Sequence, residues 1–382
     1  MKMKSKKKME NESYDKLSLV DKEIVFLYRG GREKRLAAAL EGLCPTEFFY
    51  GAVELIKQGQ KVKVVDINYV TSSSDLGFID KLFDQFFKYQ LLPSRVYGPL
   101  LKKIWAERRQ FQSADVIVAT TPGIAFAVAI LKILLQFQAS IVAIQLGLVD
   151  YKFSRRRIFL NRFFLKRMKS IIYTELEQKL MIEKYGLEAD GTVVNQFGID
   201  ISFWNTSTYD HEGYILAVGS DGMRDYDALL QAAEEVEKQF IIVTNREFKE
   251  RVPENVKILK GDWLTNHITD ADICDLYAKA SIVVTPLKQT TRPSGQSVCL
   301  QAMSCGRPVI ISAIHGLWAE ELLHDDATVV LTAPGDIEEL VSNIKSLTSD
   351  EARCKRIGKA ARDAVLNHAT TEHWAFRLKS LF

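Results

Sequence analysis

Short runs of β-branched and other apolar residues alternate along this chain with longer helical segments, and the alternation starts twice. EIVFLYR (Glu23 to Arg29) reads as a strand, and PTEFFYGAVELIKQG as a helix with Thr46 as N-cap and Gly59 as its stop. KVKVVDI, ADVIVATT, ASIVAIQL, SIIYT and GTVVNQFG follow as strands with helical stretches among them. A polar stretch, FWNTSTYDHEG, breaks the pattern, which resumes with GYILAVG, FIIVTN, VKILKG, SIVVTPL and RPVIISA as strands. Strands that are apolar throughout, rather than at alternate positions, are covered on both faces. Such strands separated by amphipathic helices imply parallel sheets. The expected fold is therefore α/β, with two Rossmann-like domains whose parallel sheets face across a cleft. Ligands of such domains sit at the carboxyl ends of the strands. The expected division is a flexible basic tail over 1–20, a first domain over 21–203 and a second over 204–366. A C-terminal helix over 367–382, aromatic in TTEHWAFRLKSLF, is expected to return to the first domain.

At 382 residues the chain is long enough for two such domains. Its longest apolar stretch, Val116 to Phe137, is split by Pro122-Gly123 and interrupted by Lys132. A membrane-spanning helix wants about 20 uninterrupted apolar residues, so a buried strand, a turn and a buried helix fit better. The start, MKMKSKKKMENESYDK, lacks the apolar core of roughly 7–15 residues that a secretory signal needs. A solvated tail and a weak attraction to anionic lipid are its two readings. Five scattered cysteines without a C-x-x-C suit reduced thiols in a cytoplasmic protein, not a disulfide framework or a zinc site. All six histidines follow residue 210 and none forms H-x-x-x-H, so no metal site is expected. The net charge of +3 is made of unlike halves. Residues 1–200 carry 32 Lys/Arg against 22 Asp/Glu, and the remainder 19 against 26. Two halves of opposite sign suggest different partners.

The stretch richest in chemical content is SIVVTPLKQTTRPSGQSVCLQAMSCGRPVIIS, Ser281 to Ser312. A strand ends at Pro286, a polar loop follows, and Ser294-Gly295-Gln296-Ser297 opens a helix that stops at Gly306. The first turn of that helix offers backbone N–H groups and the positive end of its dipole, which suit an anionic or hydroxyl-rich ligand. A plain strand–loop–helix cap is the alternative.

LQAMSCGRPVI, with GLW (Gly316 to Trp318) and PGDIEEL (Pro334 to Leu340) beyond it, resembles the donor-binding half of retaining GT-B glycosyltransferases of the "group 1" type. LAVGSDGMRDYDALLQA (Leu216 to Ala232) is similar to that family's strand–loop–helix, and VVNQFGIDISFW (Val193 to Trp204) to its domain junction. The resemblance implies transfer of a sugar from a nucleotide-diphosphate sugar to a glycan, lipid-linked or other acceptor, with retention and without a metal or other cofactor. It places the nucleotide sugar on the second domain, at Gly219, Ser220, Arg224, Ser294, Gly295, Gln296, Ser297, Val298 and Gln301, and the acceptor on the first. Arg224 stands where the family holds the diphosphate, and an arginine stabilises charge growing on that leaving group. A second family cation is replaced by Ser220, with Arg292 as its candidate substitute. The family's paired glutamates are replaced by Pro293 and Gln301, and Gln301 keeps an acceptor for the ribose. Where the family often has His, this chain has Gln145. Arg224, Arg292 and Gln145 are the catalytic candidates. Loss of both glutamates leaves a second reading open, a non-catalytic GT-B-like binding subunit.

On the first domain YKFSRRRIFLNRFFLKRMKS, Tyr151 to Ser170, has eight basic residues and no acid. Arg155, Arg156, Arg157, Arg162, Lys166 and Arg167 alternate there with Phe and Leu. An anionic membrane surface at the inner face, bound peripherally, and an ordinary half-charged helix are the two readings. No recognition motif supports nucleic acid as a partner. An NAD-dependent oxidoreductase is excluded, because the first strand leads into YRGGREK and not G-x-G-x-x-G.

Overall fold

The computed structural model describes residues 22–69, 92–149, 152–206, 209–249, 251–261 and 268–382. The basic tail of residues 1–20 lies outside them. The chain divides into two compact units. One holds the residues up to Leu40, Phe49–Asn195 and Glu372–Phe382; the other holds Glu41–Phe48 and Gln196–Thr371.

The first unit is built on β1 (Glu23–Tyr28), β2 (Lys61–Asp66), β3 (Val116–Ala119), β4 (Ser140–Ile144), β5 (Lys169–Ile172) and β6 (Thr192–Val194). All pair in parallel, in the order β2-β1-β3-β4-β5-β6. Its longer helices are α1 (Gly98–Glu107), α2 (Pro122–Leu135), α3 (Arg155–Leu165) and α4 (Glu175–Tyr185). The apolar stretch from Val116 divides into β3 and α2, and Ile124 to Val128 of α2 are fully buried. Burial in the core, not lipid, accounts for that run. No described helix is long and apolar enough to cross a membrane.

The second unit contains β7 (Ile215–Val218), β8 (Phe240–Val243), β9 (Val256–Leu259), β10 (Ile282–Thr285), β11 (Val309–Ser312) and β12 (Val330–Thr332). Its helices are α5 (Tyr226–Glu234), α6 (Asp270–Lys279), α7 (Gln296–Ser304), α8 (Ile337–Ser349) and α9 (Glu351–His368). The sheet order β12-β11-β10-β7-β8-β9 is the doubly wound Rossmann order. The order in which successive strands join the sheet reverses between β7 and β10, and the equivalent point in the first sheet lies between β1 and β3. Crevices open at the carboxyl ends of strands at such points.

Two local expectations fail. The helix anticipated from Thr46 to Gly59 is broken into a single 3-10 turn, Glu47–Phe49, and a short helix, Ala52–Lys57. Tyr50 and Gly51 between them have φ of 50° and 83°. A Cβ on Gly51 would stand 3.1 Å from the Trp374 ring, so tight packing against α10 (Thr371–Lys379) sets the break. α10 is held to its own unit by Arg377, which donates to Asn195 Oδ1 at 2.6 Å, and by Trp374, which is 2% exposed. β12 was not anticipated. Its three residues are too few for a period to register.

Candidate functional site

The loops that follow β7 and β10 meet at the second sheet's switch point. Arg224 and Leu287 form an antiparallel bridge there. Asp225 N donates to Pro286 O at 3.0 Å and Lys288 N to Met223 O at 2.8 Å. Two loops far apart in sequence are thereby zipped into one rigid floor.

The Arg224 side chain runs back under this floor and is 3% exposed. Gly219, with φ of 136°, admits it: a Cβ there would lie 2.3 Å from Arg224 Nε. Gly295, with φ of 78°, closes the other side, 3.4 Å from Nη1 by the same construction. Both positions need glycine for conformation and for space. Arg224 Nε lies 3.3 Å from an Asp221 carboxylate oxygen that is half exposed. Among the described residues, Nε and Nη1 of Arg224, Thr285 Oγ1 and Gln296 Nε2 are buried without a hydrogen-bond partner. Such groups cost about 1–3 kcal/mol each when left unpaired, so their clustering points to a polar ligand.

α7 begins beside this cluster. Its N-cap is Gly295, and no side chain caps it. The amides of Gln296, Ser297 and Val298 therefore keep the anion-attracting character of a helix start. The preceding loop is propped from behind: Trp318 Nε1 donates to Ser294 O at 3.0 Å, and Gly316 N to Thr290 O at 2.9 Å. A Cβ on Gly316 would come within 2.5 Å of the backbone at Thr291 and Arg292. Arg292 is half-buried in that loop, and Ser220 Oγ accepts from Asn245 N at 2.9 Å.

Of the other residues singled out by sequence, Gln301 faces inward. It is 6% exposed, donates to Glu47 Oε1 at 3.0 Å and accepts from the Tyr277 hydroxyl at 3.3 Å. Pro293 is buried. Gln145 follows β4 in the first unit and is 1% exposed, with its amide nitrogen 3.5 Å from Met168 Sδ. On α3 the side chains of Asn161, Phe164 and Leu165 turn inward. Arg155, Arg156, Arg162, Lys166 and Arg167 are exposed, while Arg157 is half-buried. Phe159 is 67% exposed, and the Arg167 guanidinium stacks on Phe163 at 3.6 Å.

Sequence reasoning missed Glu47. Its carboxyl is 2% exposed and accepts from Trp204 Nε1 at 2.8 Å as well as from Gln301. Burial raises its pKa to about 7 against those two hydrogen bonds, which lower it. No signal in PTEFFYG separates this buried acid from a helix-start glutamate. Among the described residues no cluster of three or more His, Cys, Asp or Glu has the arrangement of a metal site.

Two Rossmann-like units in one chain, each with a switch point at the carboxyl ends of its strands, make this a GT-B-fold protein. Residues 212–350 match the family described as glycosyl transferases group 1. The structure of Anabaena HepE in complex with UDP and glucose gives a TM-score of 0.66 at 18% identity, covering 94% of this chain and 99% of that one. Sucrose-phosphate synthase from Thermosynechococcus elongatus gives 0.67 at 17% identity, covering 94% of this chain and 98% of that one. A sulfoquinovosyl transferase of Arabidopsis thaliana is 30% identical over 102 residues, which are 26% of this chain and 19% of that protein.

Proposed function

We propose that the protein is a glycosyltransferase that takes a sugar from a nucleotide-diphosphate sugar. The observation that carries this reading is Arg224, a buried guanidinium between two obligatory glycines at the start of α7. The neighbours solved with UDP, UDP and glucose, or UDP-glucose support the choice of donor. In the reaction the bond from the anomeric carbon to the diphosphate oxygen breaks. The acceptor hydroxyl oxygen bonds to the same carbon, and its proton passes to the departing diphosphate. Negative charge grows on the departing diphosphate, where Arg224, Arg292 and the α7 amides are the groups that stabilise it. Ser220, Ser294 and Gly295 shape the donor pocket. The acceptor is a glycan or a lipid-linked sugar, transfer proceeds with retention, and no metal takes part. Thermal shift and hydrolysis with a panel of UDP-, GDP- and ADP-sugars test this reading. Stabilisation and slow hydrolysis with one of them, both abolished by Arg224→Ala, are expected. No response to any donor would overturn it.

A second reading, a non-catalytic binding subunit, draws on Pro293 and on the inward turn of Gln301 onto Glu47 and Tyr277. It predicts nucleotide binding without hydrolysis or transfer. We also infer that the enzyme works at the inner face of the membrane, docked peripherally through α3. The exposed Phe159 and Phe163, flanked by Arg155, Arg156, Lys166 and Arg167, support this placement.

A further inference from the structure

The switch point of the first sheet carries a cavity of about 400 Å³ that the donor chemistry does not use. That volume suits a small-molecule site, which spans roughly 300–1,000 Å³. Arg29, directly after β1, lines one side, and Thr121, Pro122 and Gly123 at the start of α2 line another. Arg95 comes from the loop before α1, and Arg157 from the first turn of α3. Three segments distant in sequence thus each deliver an arginine to one cavity.

The backbone around Arg95 is held in place at a cost. Arg95 has φ of 62°, a left-handed conformation that non-glycine residues adopt only when their surroundings enforce it. Ser94 N donates to Asn161 Oδ1 at 2.9 Å, and Asn161 Nδ2 donates to Ser94 Oγ at 3.0 Å, with both residues buried. Asn161 lies on α3, so the same pair locks the Arg95 loop to the helix that carries Arg157. From the α2 side Gly123 lets the Arg95 carbonyl approach: a Cβ there would be 2.6 Å from it. Aromatic rings orient the cations. The Arg29 guanidinium lies 5.9 Å from the Tyr69 ring centre and that of Arg157 lies 6.0 Å from Phe153. The ring faces attract the cations electrostatically at that range.

We propose that this cavity binds the phosphate or diphosphate group of an anionic acceptor, clasped by Arg29, Arg95 and Arg157 at the start of α2. Calling the ligand an acceptor rests on the glycosyltransferase reading; anion binding does not. The α2 start adds its dipole to the three cations. The phosphate belongs either to a lipid carrier or to a soluble sugar phosphate, and the two sources differ in what lies beyond the anion.

The test is calorimetric titration of the full chain carrying Arg224→Ala, which removes the buried cation of the second unit's site. Inorganic pyrophosphate, farnesyl diphosphate and glucose 6-phosphate are the probes, each at low and high salt. Pyrophosphate binding that weakens with salt, and falls about tenfold or more on adding Arg29→Ala or Arg157→Gln, is expected. Tighter binding of farnesyl diphosphate identifies a lipid carrier, and tighter glucose 6-phosphate a soluble one. Arg29 is exposed, so its truncation leaves the core intact, and Arg29→Lys is expected to recover part of the loss. No pyrophosphate binding, or an affinity indifferent to both substitutions, overturns the proposal. Failure of the wild type to bind any nucleotide, with Arg29-dependent pyrophosphate binding retained, would sink the donor reading alone.

Discussion

At the second sheet's switch point a single guanidinium, Arg224, is 3% exposed between Gly219 and Gly295, whereas at the first sheet's switch point arginines arrive from three segments and Arg29 is exposed. A charge removed from water acts through a lower effective dielectric, so a buried cation beside a helix start interacts strongly with an anion. An exposed cation such as Arg29 is screened more than a buried one. On the proposed reading, this contrast lets a half of the chain with more acids than bases offer a phosphate site.

The largest effect that separates the two sites is Arg224→Ala. Loss of one preorganised donor to a developing charge costs about 10²- to 10³-fold in kcat, and turnover of the donor sugar is expected to fall by that much. An unchanged kcat would remove Arg224 from the chemistry. Next come Gly219→Ala and Gly295→Ala. Each adds a methyl at a positive φ and, at Gly219, directly onto Arg224 Nε. A destabilisation of about 1–3 kcal/mol is expected by thermal melting, with weaker nucleotide binding, because the guanidinium is displaced. Gly42, whose φ is also positive but whose Cβ would meet nothing, is the control and should affect stability without nucleotide affinity.

Glu47 sharpens the contrast on the acid side. Its folded pKa of about 7 exceeds the ordinary carboxyl value of 4.5, so the folded state holds a proton that the unfolded chain has lost. Stability is therefore expected to fall as pH rises from about 4.5 through about 7 and to level off above that, at about 1.4 kcal/mol per pKa unit. Glu47→Gln keeps an oxygen to accept from Trp204 and Gln301, and should flatten the slope in urea melts across that range. A slope unchanged in the variant would remove Glu47 as its source. The smallest expected effects concern metal and membrane: EDTA is expected to leave turnover unchanged. Co-sedimentation with anionic vesicles should decline with salt and on Phe159→Ser with Phe163→Ser. Turnover that depends on added metal, or binding indifferent to salt and to those two substitutions, would contradict them.

The sheets were legible in the sequence because their strands are apolar at every position, and the two starts of the pattern separated the units. Arg224 and the α7 start were legible through the glycines and the family pattern around them. The first unit's cavity was not, because Arg29, Arg95 and Arg157 are joined only by folding and no local spacing relates them. Glu47 was hidden for a different reason. A short segment, Glu41–Phe48, leaves the surrounding chain's unit and inserts into the other, so a helix-start acid by local grammar becomes a core carboxyl. The inward turn of Gln301 follows from the same insertion.

The central claim is that the second unit holds a nucleoside diphosphate on Arg224. Calorimetric titration of wild type and Arg224→Ala with UDP, GDP and ADP measures it directly. One nucleotide is expected to bind the wild type with little dependence on salt, and to lose about tenfold or more in affinity in the variant. Equal affinity in the two proteins, or no binding of any nucleotide to the wild type, would contradict it.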